Sequence, residues 1–109
     1  MFEKNLELGY LLDFYGELLS PHRREAMNYY YNDDMSLAEI ASLLGITRQG
    51  VRDLIKKAGD ELSFYEEKLG LAKRFREVEA YADEARLLIG NGDDERLAAV
   101  IEAIISTVS

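Results

Sequence analysis

Apolar residues recur at three- and four-residue steps along nearly the whole chain. From Asn5 to Leu19 the positions Leu6, Tyr10, Leu11, Phe14, Leu18 and Leu19 form one stripe, which predicts an amphipathic helix. Ser20-Pro21 predicts a new start, with Ser20 as N-cap and Pro21 at the first helical position, where its missing N–H costs nothing. That helix runs to about Tyr31 on an apolar side of Met27, Tyr30 and Tyr31, and Asn32-Asp33-Asp34 breaks it. Ser36-Leu37-Ala38-Glu39 has the spacing of a capping box and opens a short helix that ends near Leu44, before Gly45. Thr47 is the next N-cap, and Val51, Leu54, Ile55, Ala58, Leu62 and Tyr65 carry the following helix towards Leu69, with Gly59 the place where it could bend. After Gly70, Phe75, Val78, Tyr81, Ala82, Ala85 and Leu88 define a helix over 71–89. Gly90-Asn91-Gly92 ends it, and Asp93 or Asp94 caps a last helix bearing Leu97, Val100, Ile101, Ile104, Ile105 and Val108. No segment alternates as a strand would. The prediction is an all-α fold: a helix-turn-helix domain over 1–69 and a C-terminal helical extension over 70–109.

The segment LAEIASLLGITRQGVRDLIKK, residues 37–57, carries the functional signal. Two short helices that cross closely need a small residue at the crossing, and Ala41 supplies it. They need a turn that tolerates positive φ, and Gly45 follows four residues later. They need aliphatics to pin the second helix to the first, and Val51 and Leu54 fall at those offsets, with Ile40, Leu44 and Ile46 completing the core. This is helix-turn-helix spacing. It sends the N-terminal end of the helix after Thr47 towards a major groove, with Arg48, Gln49 and Arg52 projecting outward and Lys56 one turn on. Arginine suits guanine, glutamine suits adenine, and Thr47 or the helix N-terminus suits a phosphate.

Charge qualifies that picture. The chain has 109 residues, one domain's worth, and carries 21 Asp and Glu against 13 Lys and Arg, a formal net charge of −8. A uniformly acidic chain binds nucleic acid poorly, because affinity for a polyanion comes largely from released counterions. Residues 20–57, however, hold six basic and five acidic side chains, so the acid is concentrated outside the motif. Arg23, Arg24, Lys56 and Lys57 are candidates to position a phosphate backbone, although arginines in a first helical turn also occur simply as solvated side chains. Tri-helical units of this spacing serve as protein-docking modules as well as DNA readers.

Other chemistry is thinly represented. Without cysteine there is no disulfide, thiolate zinc site or thiol nucleophile, and with His22 as the one histidine there is no multi-histidine metal site. His22 reads as an exposed first-turn residue, and Tyr29-Tyr30-Tyr31 as core and hinge packing rather than a base-stacking platform. Glu66-Glu67 and Asp93-Asp94-Glu95 read as solvated faces and helix starts, and Gly90-Asn91-Gly92-Asp93 lacks the length and oxygen spacing of a calcium loop. No nucleophile–base pair or glycine-rich phosphate loop is present, so the expectation is a protein with no catalytic residues, metal or cofactor. No apolar run reaches the roughly 20 residues of a membrane span, and MFEKNLELGY lacks a secretion-signal pattern. A cytoplasmic location is expected.

LLDFYGELLSPHRR, YYYNDDMSLAEIASLLGITRQGVRDLIKKA and FYEEKLGL together resemble the YlxM-like family of small bacterial helix-turn-helix proteins, over about residues 5–71; the last 38 residues do not carry the likeness. The central helices are also similar, more broadly, to region 4 of the bacterial sigma factors and to the helical core of winged-helix DNA-binding domains. The YlxM-like resemblance implies a link to the signal recognition particle pathway, as a regulator or accessory, since members are typically encoded beside the genes for the particle's GTPase and its receptor. It places the DNA-reading helix at the TRQ run beginning at Thr47, with Gly50 where alanine is usual and Arg52 where an uncharged residue is common. Two functions compete. One is a DNA-binding regulator acting as a homodimer, since a lone helix-turn-helix buries too little surface for tight specific binding. Its dimer surface would be the stripes of Phe75, Val78, Tyr81 and Leu88 and of Val100, Ile101, Ile104 and Ile105, which could equally be intrachain packing. The other is an accessory factor whose basic edge meets the particle's RNA or GTPases, a role that the net acidity suits better.

Overall fold

The computed structural model describes residues 4–109, which divide into two compact units, one ending at Leu69 and the other spanning Gly70–Ser109. The first contains α1 (Leu6–Tyr15), a 3-10 turn (Gly16–Leu18), α2 (Pro21–Tyr31), α3 (Leu37–Leu44) and α4 (Arg48–Leu69). The second contains α5 (Leu71–Leu88) and α6 (Asp94–Val108). The described residues contain no strand, so the helix-turn-helix core carries no β wing. Nor is any of their helices long and apolar enough to cross a membrane.

In the first unit α4 is the spine, with α1, α2 and α3 packed on it. Its buried row is Val51, Ile55, Ala58 and Leu62, and Ala26, Met27, Ile40, Leu11, Leu12 and Tyr15 close the core from the other helices. Among the described residues no charged side chain is buried, and the hydroxyl of buried Tyr15 is satisfied by donating to Glu66 Oε1 at 2.6 Å. The sequence-predicted pin at Leu54 is only half-buried, and Ile55 takes that place.

Two predicted features differ from the structure. The first stripe is not one helix to Leu19. α-Helical hydrogen bonding stops at Tyr15, and the tighter turn at Gly16–Leu18 swings Leu19 into the core. Gly16 is itself buried, and a Cβ there would lie 3.2 Å from Leu12 Cδ1, so the tighter turn forms where a side chain would be crowded. The expected bend at Gly59 is absent, and α4 runs unbroken through it. Here the glycine serves packing: a Cβ at position 59 would sit 2.8 Å from Leu8 Cδ1, so its absence lets α1 lie close on α4.

The capping box before α3 is formed in both directions. Glu39 N–H donates to Ser36 Oγ at 3.1 Å, and Ser36 N–H donates to Glu39 Oε1 at 3.0 Å. The bond from the Ser36 backbone, reinforced by its hydroxyl, holds the Glu39 carboxyl below its ordinary value of 4.5. Lys4 does the same to Asp34. A carboxyl with a depressed folded-state pKa contributes stability that is present above its unfolded pKa and lost as pH falls through the folded one. The urea midpoint should therefore decline as pH drops below about 4.5, and Glu39→Gln, which keeps an acceptor for the Ser36 N–H, should flatten that decline.

The second unit is an α5–α6 pair joined through Gly90 and Gly92, both at positive φ, with Asp93 Oδ1 capping α6 by accepting from Arg96 N–H at 3.1 Å. Ala72 and Val100 are its only fully buried apolar residues.

Candidate nucleic-acid interface

The turn between α3 and α4 is built by three local devices. Gly45 adopts φ 69°, ψ 32°, a left-handed conformation that costs a side chain about 1–2 kcal/mol and glycine almost nothing. Its N–H and that of Ile46 both donate to Ala41 O, the latter at 3.1 Å, which satisfies the frayed end of α3. Thr47 then caps α4: its Oγ1 accepts from Gly50 N–H at 2.9 Å, and its carbonyl accepts from Val51 N–H at 3.0 Å. Behind the turn, buried Ile40 and Ala41 of α3 and Val51 and Ile55 of α4 fix the two helices against each other.

With Val51 and Ile55 turned inward, the outward face of the first turns of α4 is set. Arg48, Arg52 and Lys56 follow one another at four-residue steps, all exposed, with exposed Gln49 beside them. Lys57 lies a further 100° around the helix from Lys56, away from that row. Two carboxylates interrupt the basic row: Gln49 Nε2 donates to Asp53 Oδ1 at 3.1 Å, and Lys56 Nζ pairs with Asp60 Oδ2 at 3.4 Å. These are exposed i, i+4 contacts worth a few tenths of a kcal/mol, easily exchanged for a stronger partner. The face borders a groove whose far wall is Asn5, Leu8 and Tyr31, so the start of α1 flanks the basic row. Burial raises the Tyr31 hydroxyl above its ordinary value, against a lowering contribution from the Asn5 backbone, and it stays protonated at neutral pH.

The eight sequence-predicted residues therefore separate. Arg48, Gln49, Arg52 and Lys56 share one side of the first half of α4, Thr47 caps its start, and Lys57 lies on another side. Arg23 is engaged elsewhere. Its guanidinium donates to Glu61 Oε1 at 2.6 Å, both side chains are partly buried, and Glu61 Oε2 also accepts from Tyr65 O–H at 3.1 Å. Glu61 lies 13 residues beyond Arg48, about 20 Å along the helix axis. Arg23 thus ties α2 to α4. Arg24 is exposed but borders a different concavity, with Asp13, Glu17 and Asn28. His22 is exposed, and of the three tyrosines Tyr30 is buried while Tyr29 and Tyr31 are half-buried. Glu61→Ala should destabilise the first unit by about 1–2 kcal/mol in urea titration, by stranding a half-buried guanidinium, while leaving any ligand affinity of the folded protein unchanged.

Sequence reasoning missed Asn5, Tyr31, Asp53 and Asp60 as part of this surface. The two aspartates were legible as i, i+4 partners of Gln49 and Lys56. Asn5 and Tyr31 reach it only through tertiary packing, and no local signal marks them.

Known proteins resemble this chain in sequence. The sequence model of the UPF0122 family, described as "Putative helix-turn-helix protein, YlxM / p13 like", matches residues 2–89. A UPF0122 protein of Caldanaerobacter subterraneus is 54% identical over 68 residues, 62% of this chain and 58% of that one, so the chain spans less than two thirds of that relative. UPF0122 proteins of Listeria innocua and of Bacillus cereus strain AH187 are 39% and 41% identical over 106 residues, covering 95% of this chain and 96% of theirs. The likeness thus continues past residue 71, through α5 and, in these last relatives, into α6, which corrects the expectation that it stops there. The chain belongs to the UPF0122 family of helix-turn-helix proteins.

Proposed function

We propose that the protein is a cytoplasmic DNA-binding regulator in which the first turns of α4 enter the major groove. The observation that carries this reading is the joint exposure of Arg48, Gln49 and Arg52 on one side of a capped helix, immediately after a glycine turn. Arg48 and Arg52 are suited to guanine edges, Gln49 to adenine once released from Asp53, and the Thr47 end of α4 to a phosphate. Lys56 and Lys57, with Arg24 further away, contribute backbone contacts; Arg23, committed to Glu61, does not. Two copies of the chain would present two such helices to two half-sites. The reading makes this a binding protein, with no catalytic step assigned to any side chain.

The test is fluorescence anisotropy of a duplex from the gene's own upstream region, titrated at several salt concentrations beside a scrambled duplex. Preferential binding with a log K that falls steeply with log salt is expected, the slope counting the phosphates neutralised. Equal, weak binding of both duplexes at low salt would overturn it.

A second reading is favoured by one observation: Asp53 and Asp60 sit within the basic row of a chain whose net charge is −8, which weakens its pull on a polyanion. In that reading the same face docks on a component of the signal recognition particle, its RNA or a GTPase, as the YlxM-like resemblance implies. Retention of such a component with no duplex binding would select it.

A further inference from the structure

Gly90-Asn91-Gly92 joins α5 to α6, and it is the one place in the chain where asparagine precedes glycine. The backbone nitrogen that follows an asparagine can bond to its side-chain Cγ and close a five-membered imide. A side chain on the following residue hinders that approach, and glycine has none.

The turn leaves both reactants accessible. Asn91 and Gly92 are exposed, and Gly92 adopts φ 79°, a conformation open to glycine and strained for other residues. Nothing lies within 4 Å of the place where a Cβ on Gly92 would stand. Among the described residues the Gly92 N–H has no acceptor, so no hydrogen bond withholds the nucleophile. One contact restrains Asn91: its Nδ2 donates to Leu87 O at 2.7 Å. That bond is exposed, and rotating the side chain towards Gly92 exchanges it for a bond to water.

The other three asparagines lack this combination. Asn28 precedes Tyr29, whose N–H lies within the hydrogen-bonded body of α2. Asn32 precedes Asp33, whose N–H donates to Asn28 O at 3.0 Å, and its own Nδ2 donates to Asn28 Oδ1 at 2.9 Å. Asn5 precedes bulky Leu6, and its Oδ1 accepts from Glu7 N–H at 3.0 Å.

We infer that Asn91 is a site of self-modification, converted by Gly92 and water to aspartate and isoaspartate. The Gly92 nitrogen bonds to Asn91 Cγ and the Cγ–Nδ2 bond breaks. The side-chain nitrogen leaves as ammonia, carrying the proton of the Gly92 amide. Water then opens the imide. Addition at Cγ restores the ordinary main chain with an aspartate. Addition at the main-chain carbonyl leaves Gly92 joined through Cγ, an isoaspartate with one extra methylene in the backbone.

Either product undoes the turn. Leu87 O is one of the carbonyls that the end of α5 leaves without a helical partner, and Asn91 Nδ2 is its donor. A carboxylate has no proton to give. It also sets negative charge against the negative end of the α5 dipole, two residues before Asp93, the cap of α6. Isoaspartate further lengthens a path set by two glycines at positive φ. Modification therefore loosens the α5–α6 pairing and leaves the first unit intact.

The test ages the full chain for weeks at neutral pH and physiological temperature, then maps its peptides by mass. The peptide spanning residue 91 should gain the mass of an amide-to-acid exchange several times faster than those holding Asn5, Asn28 and Asn32. Part of the product should accept a methyl group from an isoaspartate-specific methyltransferase. Asn91→Gln, which would have to close a six-membered ring, should lose that mass gain. The modified fraction, separated by its extra negative charge, should exchange amide hydrogens faster in α5 and α6 than fresh protein does, with the first unit unchanged. Asn91→Gln aged alongside should match its own fresh sample. Modification at Asn91 no faster than at the other three asparagines overturns the proposal. So does a modified fraction whose α5 and α6 exchange as in fresh protein.

Discussion

Replacing Arg48 and Arg52 together by alanine is expected to abolish preferential binding of the upstream duplex, weakening it by a factor of roughly 30 or more. The two guanidiniums stand one helical turn apart on the same side of α4, at the end that the Gly45 turn and the Thr47 cap present outward. An arginine held in bidentate contact with a guanine edge contributes roughly 1–3 kcal/mol of discrimination, so losing two removes roughly 2–6 kcal/mol. The singles separate base reading from charge. A variant that loses affinity for the preferred and the scrambled duplex alike, with a shallower salt slope, has lost a phosphate contact; one that loses only the preference has lost a base contact. Asp53→Asn should act in the opposite direction, tightening binding to both duplexes, because it removes a carboxylate from the basic row. If the double variant binds the upstream duplex as the wild type does, the first turns of α4 do not read DNA, and the docking function takes their place. Circular dichroism should be unchanged throughout, since none of these side chains contributes to the core.

Much of this architecture was legible in the sequence because its helices are bounded by local chemistry. Ser20-Pro21, the Ser36–Glu39 box, Gly45 and Asp93 each act within three or four residues of themselves, and each is found in its predicted role. The exposure of Arg48, Gln49 and Arg52 was legible for the same reason, since a helix phased by Val51 must turn them outward. What was not legible depends on distant partners. Gly59 looks like a weak point in α4 until Leu8, 51 residues earlier, is seen to lie across it. Arg23 looks like a phosphate ligand until Glu61, 38 residues away, is found to hold it. Both pairings arise from the packing of α1 and α2 on α4. A sequence pattern shows which face a residue occupies but not which side chain stands opposite.

Leu62→Ala should be among the most destabilising single truncations in the first unit, at about 2–5 kcal/mol, because it deletes buried methyl groups from a site that cannot easily collapse. Leu62 is fully buried on the spine helix, in a core closed by residues of α1 and α2. Both neighbouring helices are held close by polar ties: Tyr15 O–H of α1 donates to Glu66 at 2.6 Å, and Arg23 of α2 to Glu61 at 2.6 Å. Those bonds bracket Leu62 on α4 and resist inward movement, so the cavity should persist and the cost should lie in the upper part of the range. Leu43→Ala is the matched control. Leu43 lies on α3 and is exposed, and its truncation should change stability by no more than about 0.5 kcal/mol. Urea unfolding followed by far-UV circular dichroism measures both. The same Leu62 variant separates stability from recognition. Leu62 is 14 residues from Arg48, about 21 Å along α4, so its folded fraction should bind duplex with wild-type affinity. Should affinity fall more than the loss of folded protein explains, the core around Leu62 and the exposed end of α4 are coupled, and α4 acts as a lever between the α1–α2 packing and Arg48, Gln49 and Arg52.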